Sequence, residues 1–164
     1  MGRILERIQS FLKEHFEAEG LEPLDDDSLA FQLAVDDGRE WGCIALAEED
    51  AEQLMFYSVL TEQAAPARVH EVMRFVTMAN YGLPVGNFEL DLDDGEVRFK
   101  TSIDLENLEL TGQVCRNVVE LNLMLMELYY DGAIAVIRGE RTAAEAIAAI
   151  EESEEDSEED SDDD

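Results

Sequence analysis

Two histidines, two cysteines and a few clustered carboxylates are the residues of this sequence able to do chemistry. A nucleophile needs a base beside it, and a metal needs several ligands at close spacing. His15 follows Glu14 and His70 precedes Glu71 on segments of helical periodicity, so both read as solvated helix-surface residues. Cys43 and Cys115 sit among apolar neighbours and read as buried small hydrophobes of a reducing cytoplasm. Neither cysteine has a local partner of zinc-site spacing. Asp91, Asp93, Asp94 and Gly95 suggest calcium, but a calcium loop with Gly at its sixth position needs Asp at its first, and that position is Leu90. Gly82-Leu-Pro-Val-Gly86 lacks the Lys and the following helix of a phosphate loop. The residues therefore predict no catalytic set, no cofactor and no metal. A small enzyme or ligand-binding domain using the carboxylates of the hairpin turns stays open as the alternative.

Charge narrows the partners. Of 164 residues, 41 are acidic and 11 basic, a formal charge of −30. Nucleic acid and anionic membrane both need a basic face, which is lacking. No apolar run approaches a membrane span, and the first twenty residues are too charged for a signal peptide. Yet 46% of residues are apolar, so a packed core is expected beneath an acidic coat. Residues 151–164 hold eleven acids and three Ser, and without them the net charge falls to −19. Such a run buries nothing apolar, which predicts one folded domain over 1–150 and a disordered acidic tail over 151–164. Ser153, Ser157 and Ser161 read as polar spacers in that tail. Only Lys13 and Lys100 are lysines, a composition that suits a high-salt cytoplasm or an ordinary acidic bacterial protein equally.

The elements that must carry these residues follow from periodicity. Ile4, Leu5, Ile8, Phe11, Leu12 and Phe16 recur at helical spacing over 3–19, ending at Gly20. Residues 29–35 alternate as a strand, Asp36-Asp37-Gly38 turns it into a partner strand over 39–46, and a third strand over 53–60 completes the meander. A helix from Pro66 to Gly82 presents Val69, Val72, Met73, Val76 and Ala79, leaving Phe75 and Met78 off the stripe. A second hairpin turns at Asp93-Asp94-Gly95. Over 111–138 one helix carries Val114, Val118, Leu121, Leu125 and Leu128 on one side. Val119, Leu123, Met126, Tyr130, Ile134 and Ile137 fall nearly opposite. Two apolar faces call for two partners, so Val119, Leu123, Met126 and Tyr130 are the candidate interface of a homodimer. Gly132 leaves the continuity of this helix open. Thr142 and Glu145 form a capping box for a last short helix. The order α-βββ-α-ββ-α-α predicts an α+β fold, an antiparallel sheet with helices on one side. Trp41, Phe75 and Met78 are the candidate partner surface, being large apolar residues without an obvious core role.

Several stretches resemble the YbjN family of bacterial proteins. They are Val72-Met73-Arg74-Phe75-Val76, Asn80-Tyr81-Gly82-Leu83-Pro84-Val85-Gly86-Asn87-Phe88-Glu89, Glu127-Leu128-Tyr129-Tyr130, Ala135-Val136-Ile137 and Ala143-Ala144-Glu145-Ala146-Ile147. The resemblance spans about residues 3–150. It implies a fold like the class I type III secretion chaperones and a non-enzymatic, dimeric sensory-transduction regulator or chaperone. The family offers no catalytic residues to carry over, so the expected role is binding a protein partner, of unknown identity, through an apolar surface.

Overall fold

The computed structural model describes residues 2–16, 20–35 and 37–161, with the side chains of the last helix described to residue 153. Helix α1 (Arg3–His15) precedes a two-residue strand β1 (Glu22–Pro23) and a meander of β2 (Ser28–Ala34), β3 (Glu40–Glu48) and β4 (Gln53–Leu60). Helix α2 (Val69–Gly82) leads to the hairpin β5 (Asn87–Leu90) and β6 (Val97–Asp104). Helices α3 (Gly112–Arg138) and α4 (Ala143–Ser161) close the chain. All neighbours in the six-stranded sheet are antiparallel, in the order β1-β2-β3-β4-β6-β5. The expected α+β architecture is present, with β1 added. Its two residues are too few to show an alternation, and Pro23 is tolerated because β1 is an edge strand.

Strand alternation sorts the side chains into two faces. Register places Phe31 opposite Cys43, Cys43 opposite Ser58, Ser58 opposite Phe99, and Phe99 opposite Phe88. This row is buried beneath the helices. The adjacent row, Ala30, Ile44, Tyr57, Lys100 and Asn87, lies on the other face and is half-buried.

Helix α3 is continuous through Gly132. A Cβ there would lie 2.9 Å from Ile150 Cδ1 and 3.6 Å from the Ala146 Cβ, so the missing side chain lets α4 cross closely. Thr111 caps α3, its hydroxyl accepting from Val114 N–H. The expected Thr142–Glu145 capping box is formed: Thr142 N–H donates to Glu145 Oε2 at 2.8 Å and Glu145 N–H donates to Thr142 Oγ1 at 3.3 Å. Ala143, Ala146, Ile147 and Ile150 of α4 are buried, and the helix continues to Ser161, past the boundary drawn at 150. Residues 162–164 lie outside the described residues.

The two apolar stripes of α3 prove to be flanks of one arc. Cys115, Asn122, Tyr129, Ala133 and Val136 fall between them on the helical wheel, and all are buried. Val119 and Met126 are fully buried within the chain's own core, so these members of the expected dimer interface have no exposed area for a second copy. Tyr130 is half-buried with its ring 5.7 Å from Trp41 and its hydroxyl donating to Glu40 O at 3.3 Å. Leu123 packs, half-buried, against the same core.

Candidate protein-interaction surfaces

Exposed large apolar side chains occur on α2, on α3 and in loops, the last including Leu24, Leu92 and Leu108. Helix α2 carries Met73, Met78 and Tyr81 at 44%, 38% and 96% exposure, and the loop after it carries Val85 at 49%. Met124 of α3 is 57% exposed. Between α3 and β6 lies an open groove of about 640 Å³, the largest of the described surface cavities. Val85, Ile103, Val118, Leu121 and Met124 supply its apolar lining, and Arg116 and Glu120 stand on one wall. That pair is a salt bridge of 2.8 Å, so Arg116 is already neutralised. A second depression, about 430 Å³, lies on the sheet face away from the helices and includes Ala30, Gly42, Ile44 and Val59.

This uncovered sheet face is amphipathic. Ile44 pairs with Tyr57 and Leu46 with Met55 across β3 and β4, placing apolar side chains side by side. Arg98 lies over the Tyr57 ring, 4.6 Å from its centroid. Burial pushes the Glu89 carboxyl up, but hydrogen bonds from Lys100 and Arg98 outweigh it and hold the group below the usual glutamate range. Both cations are thus paired within the sheet, Lys100 with Glu89 and Arg98 with Glu89 and, at 3.7 Å, Glu96.

Sequence-predicted site residues divide sharply. Met78 is exposed as expected. Trp41 (0%) and Phe75 (1%) are not surface residues at all. Trp41 projects from the helix-covered face of β3, where its neighbours Cys43 and Ala45 are small enough to leave room for it and Tyr130. Phe75 is the centre of the α2 core stripe, with Phe88 and Tyr129 ring centroids at 6.3 and 6.4 Å. Met73, which the sequence assigned to that stripe, faces out. α2 packs against β5, α3 and α4 together, and those three neighbours rotate the buried arc toward Phe75.

A similar fold occurs in known proteins. A family model described as "Putative bacterial sensory transduction regulator", YbjN, matches residues 5–135. The chain belongs to the YbjN family. The crystal structure of YbjN from E. coli is similar at a TM-score of 0.55 and 11% identity, covering 82% of this chain and 90% of that one. The ExsC–ExsE complex is similar at 0.50 and 19% identity, covering 77% and 92%. The HopA1–SchA chaperone–effector complex is similar at 0.45 and 15% identity, covering 74% and 88%. No curated protein matches. At these identities the likeness is one of fold, a YbjN and type III secretion chaperone-like fold.

In this YbjN domain the chemistry-bearing residues hold structure. Asp91 accepts from Asp93 N–H and Asp94 from Glu96 N–H, each at 2.8 Å, so the hairpin carboxylates bind their own turn. Asp37 accepts from the Arg39 N–H and guanidinium; its neighbour Asp36 lies outside the described residues. Among the described residues no group of three or more His, Cys, Asp or Glu is placed to hold a metal ion. Burial pushes the Cys43 thiol up to about 12, against the opposing pull of the Ser58 and Trp41 side chains, and burial also raises Cys115. Thiols held protonated are poor nucleophiles. His15 stacks on Phe11 at 4.5 Å with Nδ1 against the Phe11 carbonyl. None of the helices of the described residues is long and apolar enough to cross a membrane. Met124, Val85 and Ile103, which line the groove, give no joint signal in the sequence because they come from a helix, a loop and a strand end far apart along the chain.

Proposed function

We infer that this YbjN protein is a non-enzymatic, cytoplasmic binding protein of regulatory or chaperone-like type that engages a protein partner through exposed apolar surface. The observation that carries this reading is the open groove between α3 and β6. Val85, Ile103, Val118, Leu121 and Met124 give it an apolar lining, Thr101, Ser102 and Asn117 are uncharged, and its two charged residues are paired with each other. A reaction site would instead gather titratable groups at one point. The ExsC–ExsE complex, which shares the fold, supports the reading because that protein is seen with a protein partner. The acidic coat keeps such an apolar surface soluble and selects against anionic partners.

Self-association belongs to the same reading, on a different face from the α3 residues expected at first. Met73, Met78 and Tyr81 on α2 are the exposed apolar residues suited to a homodimer. The test is light scattering with a Met73→Glu/Tyr81→Glu variant. A dimer that becomes a folded monomer supports the assignment, and a monomeric wild type removes it. Partner binding is tested by affinity capture from native lysate with wild type and Met124→Glu. A partner lost with the variant supports the groove, and equal capture by both refutes it.

A further inference from the structure

The edge of the sheet beside the groove is unfinished. β5 pairs with β6 only from Val97 to Lys100, whereas β6 runs on to Asp104 with β4 along its other side. The chain departs from this edge at Gly86, whose φ is +75°. A Cβ there would sit 2.8 Å from Lys100 O and 2.6 Å from Phe99 Cζ, so the backbone passes too close for any side chain before turning away. Among the described residues, therefore, no strand lies on the outer side of Thr101 to Asp104.

The direction of their backbone groups follows from the ladder. Leu105 N–H donates to Glu52 O, in register with the β4–β6 pairing, and bonded pairs alternate along antiparallel strands. Thr101 and Ile103 thus bond to β4. Ser102 and Asp104 turn their N–H and C=O groups to the open edge. Asp91 N–H donating to Glu96 O gives the same parity from the β5 side. Exposed main-chain donors and acceptors beside an apolar groove are what an added strand requires.

We propose that the open β6 edge accepts an extended segment of a partner protein as a further strand in line with β5. Its alternate side chains enter the groove between Ile103 and Leu121, and lysine or arginine flanks them. This rests on the protein-binding reading above and specifies its mode. Charge complementarity fixes the occupant: Asp104 and Glu106 are exposed at the end of this edge, while Arg116, the one cation lining the groove, and Glu120 neutralise each other. A second copy seated on this edge would bring an identical pair of acids against Asp104 and Glu106. A basic partner gains from the same pair. Four open residues offer a strand of about 13 Å.

The experiment uses the full chain and a short synthetic peptide of alternating Val and Thr with Lys pairs at both ends, followed by backbone amide shifts and hydrogen exchange. The proposal expects Ser102 and Asp104 amides to shift and to gain protection about tenfold or more. It also expects affinity to fall about tenfold or more in Met124→Glu, which sits on an exposed helix position, and in Ser102→Pro, which removes the outward N–H without removing a donor to β4. A control peptide with Glu in place of Lys should bind about tenfold more weakly or worse. Unperturbed Ser102 and Asp104, or equal binding by both peptides, overturns the proposal. So does Ser102 protection that rises with protein concentration alone, the signature of a second copy. A natural partner captured equally by wild type and Ser102→Pro but lost with Met124→Glu would refute strand addition while leaving the groove reading intact.

Discussion

Asn122 is a fully buried polar residue in the middle of the apolar arc of α3, and its replacement by Asp is the most informative single perturbation. Its Nδ2 donates to Phe56 O at 2.9 Å, to Phe99 O at 3.2 Å and to Thr101 Oγ1 at 3.2 Å, fastening α3 to β4 and β6. Asn122→Asp keeps the shape and removes the donor, leaving a carboxylate that would face three oxygens. An isolated buried carboxyl rises by about 3 to 5 pKa units, from about 3.9 in the unfolded chain. A raised folded-state pKa means that the protonated group is tolerated below about pH 3.9 and that stability is lost as pH rises toward the folded value. At about 1.4 kcal/mol per unit, the variant's deficit relative to wild type should grow by about 2.7 kcal/mol between pH 5 and pH 7, reaching about 4 kcal/mol from ionisation alone. Lost hydrogen bonds add about 1–2 kcal/mol. Asn122→Ala serves as the control, with a deficit of about 2–3 kcal/mol that does not vary with pH. Urea unfolding, followed by circular dichroism and by the emission of Trp41, the single tryptophan, measures both. A deficit for Asn122→Asp that stays flat from pH 5 to pH 7 would refute the reasoning, because Asn122 would then be reached by water.

Three further outcomes are expected. Gly132→Ala should be neutral within about 1 kcal/mol, since helix propensity offsets a small shift of Ile150, whereas Gly132→Leu should cost about 1–3 kcal/mol in chemical denaturation by prising α4 from α3. Glu89→Gln should reduce stability by about 1 kcal/mol or less at pH 7. Because the folded-state pKa of Glu89 is depressed, that contribution is present above about pH 4.3 and fades as pH falls through the folded value, so the two proteins should converge in acid. Cys43 and Cys115 should resist a thiol reagent in the native chain and react together in urea; fast native labelling of Cys43 would contradict its burial.

Elements with a strict period were legible in the sequence. The strand expected over residues 53–60 forms as β4 at those same positions, and Thr142 with Glu145 announces the start of α4. What escaped was the orientation of helices with several neighbours. A periodicity assigns an apolar arc but not its centre, and α3 is apolar around so much of its circumference that its flanks look like two faces. Asn122 marks the true centre, yet a polar residue there reads as a gap until Phe56 and Phe99 supply its acceptors. Phe75 and Met73 exchanged roles for the same reason. Of the three candidate surface residues only Met78 is exposed, and the groove itself is assembled from a loop, a strand end and a helix far apart along the chain.

Helix α4 gives the family boundary another meaning. The match to YbjN ends at residue 135, but Ala146 and Ile150 lie against Gly132 and help close the core over Phe75. A segment excised at the limit of family likeness would carry an open seam along α2 and α3, and its stickiness could be mistaken for partner binding. The shortest chain on which any interaction of this protein can fairly be measured is therefore set by Ile150, not by the extent of its kinship.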